Sequence, residues 1–547
     1  MLHRNDLFEM TCDAFGQDAQ GVCRHEGMAV FVPGLLPGET ALVRIVKPEK
    51  RYAFGRVEKL LTESPNRQEP FCPAYKRCGG CSCQHMRYET TLDFKRDQVQ
   101  ELLRRVGGLD IAVPPVLGME SPFSYRNKGA YPVGLVKGEP ACGFFAPRSH
   151  DLIPLPKEGC RIQRADSHDA TNAVLAWMKE TGAQPYDEIT GRGLVRHIMT
   201  RSTRSGGLMV VPVVTQKNIP KKERLIALLQ KAVPGLESVC LSVNPRRTNV
   251  ILGTEIHTLW GKPVMEDTLG GLRFSVSPLS FFQVNPEQTE KLYQLALDYA
   301  QLSGEELVVD AYCGAGTISL LLAKRAKRVI GIEIVPEAIE NAKENAARNG
   351  IQNAEFIVGA SEEVMPALVR QGFRPDVVVV DPPRKGCEES MLRAILEVQP
   401  RRVVYVSCGA PTLARDAKIL CEGGYRAEKV QCVDMFCWTG AVETVMLLSK
   451  LKEAEHIDVE LKMDELDVTE AEAESENVAT YEEIKAYVLE QTGLKVSSLN
   501  IAQVKQKLGI IERECYNKPK SEDSRQPKCP KEKEEAIEAA FKHYHLI

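Results

Sequence analysis

The chain has 547 residues, 43% of them hydrophobic, which is more than one hydrophobic core accommodates, so several domains are expected. No apolar run approaches the about 20 residues of a membrane span, and the start, MLHRNDLFEM, has no apolar signal region. A cytoplasmic location without membrane contact is therefore predicted. The net charge of −4 is close to neutral, but the acidic residues concentrate near 453–476. Seventeen cysteines in a reducing compartment favour metal binding or catalysis over disulfide bonds.

Residues 1–64 contain short β-branched runs separated by Pro-Gly, as in GMAVFVPGLLPGETALVRIV. This pattern predicts a small β-barrel. Its basic residues suit oligonucleotide binding, although an ordinary solvated surface explains them about equally well. They are Arg44, Lys47, Lys50, Arg51 and Arg56.

Three further regions and a linker follow the predicted barrel. Residues 65–285 mix strands such as GLMVVPVV with helices such as KKERLIALLQKAV, which predicts a mixed α+β domain. Residues 286–450 alternate helix and strand, which is typical of a doubly wound α/β sheet. Residues 451–479 are acidic and predict a solvated linker. Residues 480–547 predict a small helical module, either one that contacts RNA or a plain packing domain.

A glycine-containing turn follows the predicted strand in VVDAYCGAGTISL. Gly314 and Gly316 allow a ligand to approach the backbone, and Glu333, nineteen residues after Gly314, ends the next predicted strand. An acid at that place can bind both hydroxyls of an adenosine ribose. NAD dehydrogenases and S-adenosylmethionine methyltransferases share this arrangement. Ser319 stands where the dinucleotide fingerprint has its third glycine, which favours methyl transfer.

Two later strands end in residues that can carry chemistry. DPPRKG begins with Asp381 directly after the strand DVVVV, and its two prolines predict a rigid loop. VVYVSCGAP ends its strand on Cys408. Cysteine is often simply buried, but the carboxyl ends of parallel strands are where α/β folds place their ligands.

Three cysteines lie within ten residues in CPAYKRCGGC, namely Cys72, Cys78 and Cys81. Three thiols this close, with two glycines between them, predict a metal or cluster site. Both Cys83 and Cys160 are candidates for the fourth ligand. The spacing does not distinguish zinc from iron–sulfur.

Together these motifs resemble the bacterial RNA (uracil-5-)-methyltransferases, and in particular the iron–sulfur members that act on 23S ribosomal RNA. The similarity covers roughly residues 7–450 and rests on a TRAM-like barrel, C-x5-CGGC, SFFQVN, DAYCGAGT, DPPRKG, YVSC and VETV. The tRNA-modifying branch of this family lacks the cysteine cluster. The resemblance thus implies a Rossmann-like methyltransferase domain and 23S ribosomal RNA as partner. We expect a monomer.

The resemblance also implies roles for individual residues. It makes Cys408 a nucleophile that adds to carbon 6 of uracil, and Glu443 the base that later removes the proton from carbon 5. Phe281 would face the target base. Contacts to S-adenosylmethionine are implied for Gln283, Tyr312, Glu333 and Asp381. A [4Fe-4S] cluster is implied on Cys72, Cys78, Cys81 and Cys160.

Methylation of tRNA by the same chemistry is the first alternative, and the cysteine cluster argues against it. A non-catalytic RNA-binding protein is the second, and an intact Cys408 with Glu443 argues against it. From the residues themselves, an ordinary thiol pKa of about 8.5 predicts that Cys408 needs only modest stabilisation of its thiolate. An apolar surrounding for Glu443 predicts a raised pKa.

Overall fold

A computed structural model of the chain describes residues 2–451, 481–508 and 530–543. The chain divides into two compact units, Met1–Ala454 and Glu455–Ile547. Apart from its first residue, the acidic linker predicted at 451–479 lies outside the described residues. Within the described ranges, no helix has the length and apolar character needed to cross a bilayer.

The first five strands close into a barrel in the order β1-β2-β3-β5-β4, which confirms the predicted N-terminal barrel. Alternate residues of the fourth strand, Ala41, Val43 and Ile45, are fully buried in its core, as a strand with one face inward requires. The strands are β1 (Leu7–Phe15), β2 (Gly21–His25), β3 (Met28–Val32), β4 (Thr40–Pro48) and β5 (Tyr52–Thr62).

A seven-stranded mixed sheet follows, in the order β12-β11-β10-β9-β6-β7-β8. One face packs on two helices and buries Trp177 completely. The other face contributes Met199 and Met209 to a separate apolar cluster. The elements are β6 (Lys128–Val136), β7 (Glu139–Phe145), β8 (Leu152–Pro154), α2 (Ala165–Thr181), β9 (Val195–Ser202), β10 (Leu208–Val214), α3 (Lys222–Ala232), β11 (Leu236–Val243) and β12 (Glu255–Gly261).

A hairpin, β13 (Met265–Leu269) and β14 (Leu272–Val276), precedes the last large sheet. That sheet has the order β17-β16-β15-β18-β19-β21-β20; its first five strands are parallel and β21 is antiparallel to both of its neighbours. The elements are α4 (Pro286–Ala300), β15 (Leu307–Asp310), α5 (Thr317–Ala323), β16 (Arg328–Glu333), α6 (Pro336–Arg348), β17 (Ala354–Val358), α7 (Ser361–Arg370), β18 (Val377–Val380), α8 (Glu389–Val398), β19 (Arg402–Ser407), α9 (Ala410–Glu422), β20 (Tyr425–Val433) and β21 (Glu443–Lys450).

Helices cover both faces of this sheet, as in a doubly wound fold. The α4, α5 and α6 helices share one core with the hairpin, and α7, α8 and α9 share the other. An early helix, α1 (Tyr88–Arg105), joins the second core through the buried side chains of Val99 and Leu103. Strand order reverses between β15 and β18, because β16 and β17 lie on one side of β15 and β18 on the other.

The second unit contains α10 (Tyr481–Thr492), α11 (Ser498–Lys507) and α12 (Lys531–His543). These helices share a small core in which Ile484, Ile501 and Phe541 are fully buried. Lys505 is buried, and Lys507 forms an ion pair with Glu534.

Candidate active site

A cavity of about 990 Å³ lies at the carboxyl ends of β15 and β18, where the strand order reverses. Open α/β sheets bind their ligands at this place. All four side chains that the resemblance assigned to S-adenosylmethionine line the cavity: Gln283, Tyr312, Glu333 and Asp381.

The turn after β15 forms one wall of the cavity. Gly316 has a φ of 81°, and a Cβ there would meet Ala342 and Phe356 at 3.0 and 3.1 Å, so both its conformation and its neighbours require glycine. The Asn345 side chain donates to the carbonyl of Ala315 at 3.1 Å and fixes the turn from α6. Ser319, in place of a third fingerprint glycine, donates to the buried Asp310 at 2.5 Å.

Glu333 is the last residue of β16, and its carboxylate is held by two backbone groups. The Gly314 N–H donates to Oε2 at 3.2 Å, and the Val335 N–H donates to Oε1 at 3.0 Å. Since the carboxylate is fixed on the cavity wall before any ligand arrives, it can accept ribose hydroxyls with little loss of side-chain freedom.

The SFFQVN segment lies between β14 and α4 and is held from the central sheet. The Asn127 side chain donates to the backbone carbonyl of Gln283 at 2.9 Å. The guanidinium of Arg201 donates to the backbone carbonyl of Ser280. Its two phenylalanines differ in environment. Phe282 is buried in the core, whereas Phe281 is 73% exposed and lines the cavity. Phe281 is therefore the one available to a substrate.

The pairing of β19 with β21 brings the predicted nucleophile and base together. Ser407 pairs with Thr444 in antiparallel register. Cys408 follows Ser407 and Glu443 precedes Thr444, so the two residues are neighbours. Glu443 is only 3% exposed, and Cys408 is half-buried. Cys408 is close enough to Glu443 and to Asp381, which lines the cavity, to interact electrostatically with both.

Burial and mutual repulsion set the protonation of this group. Burial raises the pKa of Glu443 to about 8; the charge of Asp381 acts in the same direction, and Arg384 opposes both. Burial, with the charge of Asp310, raises the pKa of Asp381 to about 7. Burial and the charges of Glu443 and Asp381 raise the pKa of Cys408 to about 11, with Arg384 again opposing.

These shifts agree with the expectation for Glu443 and correct the one for Cys408. A thiol with a pKa near 11 is protonated at neutral pH, so it needs a base and not only modest stabilisation. Carboxylates with pKa values of about 7 and 8 are suited to accept its proton. Asp381 both lines the cofactor cavity and interacts with the thiol, and thus joins the two halves of the site.

Comparison with known proteins decides the family. Residues 271–451 match the family described as tRNA (Uracil-5-)-methyltransferase, and residues 9–57 match the TRAM domain. An uncharacterised RNA methyltransferase of Listeria monocytogenes is 48% identical over 449 residues, which cover 82% of this chain and 98% of the relative. The chain belongs to the RNA (uracil-5-)-methyltransferase family. It is an enzyme that uses S-adenosylmethionine to methylate RNA.

Two further relatives agree with this assignment. An uncharacterised RNA methyltransferase of Clostridium acetobutylicum is 46% identical over 452 residues, covering 82% of this chain and 98% of the relative. The solved structure of a Pyrococcus abyssi tRNA (uracil-54, C5)-methyltransferase in complex with S-adenosyl-L-homocysteine aligns with a TM-score of 0.66. Its sequence is 26% identical, and the alignment covers 81% of this chain and 100% of that one.

The DPPRKG loop of the methyltransferase is held by a buried acid that sequence reasoning missed. Asp416 of α9 is fully buried and accepts hydrogen bonds from Tyr405 OH at 2.7 Å and the Cys387 N–H at 2.8 Å. A side chain at position 386 would not fit, because a Cβ on Gly386 would lie 2.7 Å from Oδ2 of Asp416. Asp416 lies on the same buried face of α9 as Leu413, Ala417 and Leu420. An acidic residue on an apolar helix face is the sequence signal that could have revealed its role.

The four cysteines implied as cluster ligands line a second cavity, of about 470 Å³. Cys83 does not line it but is fully buried in an apolar cluster with Met86 and Phe94. The arrangement therefore favours Cys160 as the fourth member. The four are Cys72, Cys78, Cys81 and Cys160. Among the described residues, no set of three or more His, Cys, Asp or Glu side chains is arranged to hold a metal ion.

The charge around the cysteine cavity is positive. Arg126, Lys128 and Arg161 line it together with the four thiols, and the lining residues include no carboxylate. Burial, with the charges of Arg201 and Arg126, lowers the pKa of Lys128 to about 8. The four thiols therefore lie in a cavity whose charged lining residues are all cations.

Proposed function

We propose that this methyltransferase methylates carbon 5 of a uridine in 23S ribosomal RNA through a covalent adduct with Cys408. The observation that carries the proposal is the placement of Cys408 and Glu443 as neighbours, close to Asp381, which lines the large cavity. A thiol, a buried carboxyl of raised pKa and a cofactor cavity joined by Asp381 are the parts that methylation of an unactivated pyrimidine carbon requires.

The first step activates the base. A neighbouring carboxylate takes the proton of Cys408 and passes it to solvent, and the thiolate adds to carbon 6 of uracil. The electrons of the 5,6 double bond move towards the carbonyl oxygen at carbon 4, which makes carbon 5 a nucleophile. S-adenosylmethionine, when bound, supplies the methyl group that carbon 5 accepts.

The second step releases the product. Glu443 takes the remaining proton from carbon 5, the 5,6 double bond forms again, and the electron pair of the carbon–sulfur bond returns to Cys408. A pKa of about 8 makes Glu443 a stronger base than an ordinary carboxylate once it is ionised. The proton that Glu443 gains then leaves to solvent, the Cys408 thiolate takes up a proton from solvent, and the enzyme is ready for another turnover.

The target uridine must leave its stack to reach a half-buried thiol. Phe281, exposed at the cavity rim, provides an aromatic face for the extruded base. Contact with that face offsets part of the unstacking cost of a few kcal/mol. Gln283, two residues further on, also lines the cavity and would contact S-adenosylmethionine.

Ribosomal RNA is proposed as the substrate because the cysteine set resembles that of the ribosomal branch. Methylation of tRNA is the second candidate, since the Pyrococcus abyssi protein that shares the fold is a tRNA (uracil-54, C5)-methyltransferase. Transfer from methyl-labelled S-adenosylmethionine to 23S ribosomal RNA and tRNA transcripts tests both. We expect labelled 5-methyluridine in ribosomal RNA, which Cys408→Ala abolishes and the matched control Cys421→Ala, on α9, retains. Label in tRNA alone would overturn the ribosomal assignment.

The cysteine cavity is proposed to hold a [4Fe-4S] cluster on Cys72, Cys78, Cys81 and Cys160. Cys160→Ser should lower the iron and acid-labile sulfide bound per chain and the visible absorption of protein purified without oxygen. Cys83→Ala should retain all three, because that thiol lies in a separate apolar cluster. Zinc in place of iron in the parent protein, or equal losses in the two variants, would contradict the assignment.

A further inference from the structure

Three aromatic side chains form a cluster on the outer face of the N-terminal barrel. β3 and β5 pair in parallel, with Phe31 opposite Phe54 and Ala29 opposite Tyr52. The intervening residues Val30 and Ala53 are fully buried, so the aromatic rings lie on the opposite, outer face of the strands. We call Phe31, Tyr52 and Phe54 the aromatic platform.

The rings of the platform contact one another and remain accessible. The ring centres lie 5.8 Å apart for Phe31–Tyr52, 5.9 Å for Phe31–Phe54 and 5.6 Å for Tyr52–Phe54. Tyr52 is 40% exposed, and the other two are half-buried. The planes of Tyr52 and the two phenylalanines meet at 74° and 86°, and these edge contacts fix the orientation of the rings. A flat ligand would therefore meet ring faces that are already oriented.

Positive charge surrounds the platform. The guanidinium of Arg148, from the loop between β7 and β8, lies 5.6 Å from the ring centre of Phe54. Lys50 and Arg51 are exposed in the turn directly before Tyr52. Lys47 pairs with Glu49 at 2.7 Å and is close enough to Tyr52 and Arg148 to interact with both electrostatically.

The loop that carries Arg148 is constrained. Arg148 has a φ of 58°, a left-handed conformation that a non-glycine residue adopts at an energetic cost. The Ala146 N–H donates to the carbonyl of Asp151 at 3.0 Å and closes the loop. At its start, the carbonyl of Phe145 accepts a hydrogen bond of 3.1 Å from the Gly79 N–H, within the cysteine segment. The loop thus ties the platform to the cysteine cavity.

We propose that the aromatic platform binds an unpaired segment of the RNA substrate, with bases on Phe31, Tyr52 and Phe54 and phosphates on Lys50, Arg51 and Arg148. Aromatic faces with interleaved cations are how proteins hold single-stranded RNA independently of its sequence. Bases in a duplex stack on each other and cannot use such a surface, whereas the surrounding cations complement a polyanion. This inference rests on the proposed RNA methylation and concerns a flanking segment, since Cys408 lies on a different sheet.

Binding of the full chain to a fluorescein-labelled, unstructured 15-nucleotide RNA, followed by anisotropy, tests the platform. The same RNA annealed to its complement serves as the duplex. Tyr52→Ala should weaken single-strand binding by about tenfold, the value of one stacked base, and change duplex binding little. Tyr52→Phe should restore the affinity. Leu61→Ala, a similarly exposed apolar side chain of β5, should bind as the parent does.

The salt dependence separates stacking from charge. Arg148→Gln should reduce the slope of log affinity against log salt concentration by about one, whereas Tyr52→Ala should leave the slope unchanged. Unchanged single-strand affinity in Tyr52→Ala would overturn the proposal, and so would an equal loss for the duplex. A similar defect in Tyr52→Phe and Tyr52→Ala would also overturn it, because stacking needs the ring and not the hydroxyl.

Methylation of the identified RNA gives an independent readout. Tyr52→Ala should raise KM for RNA and leave kcat unchanged, because the platform contacts no reacting atom. A parent enzyme that methylates neither ribosomal RNA nor tRNA would refute the proposed function. In contrast, an active parent with unchanged binding in Tyr52→Ala would refute the platform alone.

Discussion

Replacing Glu443 by glutamine should make the folded protein more stable at neutral pH while it removes the proposed base. The pKa of this carboxyl lies near 8 in the folded chain, against an ordinary 4.5. Between these values the folded state holds a proton that the unfolded state releases, so the stability falls as the pH rises from 4.5 to 8. Glutamine cannot ionise, and the variant does not share this loss.

The size of the effect follows from about 1.4 kcal/mol per pKa unit. At pH 7 the parent has lost about 3 kcal/mol relative to the fully protonated protein, and above pH 8 about 5 kcal/mol. The variant should therefore match the parent near pH 4.5 and exceed it by about 3 kcal/mol at pH 7. A gain of this size raises the Tm by on the order of 5 °C.

Calorimetric melting of both proteins from pH 5 to pH 8 measures the difference. Glu428→Gln, on the neighbouring strand β20, is the control. Arg426 lowers the pKa of Glu428, so its stabilisation is lost as the pH falls, and the surface pair should give a small effect of opposite sign. A Tm difference between Glu443→Gln and the parent that stays constant across this range would refute the buried, proton-holding carboxyl.

Three further substitutions address other parts of the site. Glu333→Gln should weaken S-adenosylmethionine binding by roughly 10- to 100-fold in calorimetric titration, because the hydrogen bonds to a charged acceptor are lost, whereas the exposed control Glu355→Gln should bind normally. Gly316→Ala should lower the free energy of unfolding by about 1–2 kcal/mol in urea titration, because the φ of Gly316 is 81°. Equal urea midpoints for the variant and the parent would contradict that geometry. Lys95→Met should lower the free energy of unfolding by about 3–5 kcal/mol in the same titration, because it leaves Asp434 charged and fully buried. A loss below about 1 kcal/mol would show that the pair is solvated.

The cofactor half of the site could be predicted because its signals are local in the sequence. Glu333 is expected to end the strand after the glycine turn, and it is the last residue of β16. Turn glycines, strand and acid all fall within one stretch of chain, where spacing alone fixes their relative positions. The barrel followed in the same way from alternating short strands.

The electrostatics of the thiol could not be predicted, because they depend on distant parts of the chain. Asp381 follows β18, Cys408 follows β19 and Glu443 begins β21. These three strands are far apart in the sequence but adjacent in the sheet, which brings the three residues together. Asp416 acts through a tyrosine and a backbone N–H on other elements. No spacing rule encodes such contacts, and an ordinary thiol pKa was the natural but wrong expectation.

The position of α1 in the sequence has a consequence for when the protein can fold during its synthesis. Lys95 on this helix pairs with Asp434, 339 residues later, and Leu117, which follows the helix in the sequence, forms an isolated parallel bridge with Val433, the last residue of β20. The core of the last large sheet is thus completed by residues that are synthesised long before the sheet itself. A ribosome that has released the helix must complete most of the protein before the helix finds its partners. For the same reason, a fragment limited to residues 286–450 would leave exposed the part of the core that Val99 and Leu103 cover.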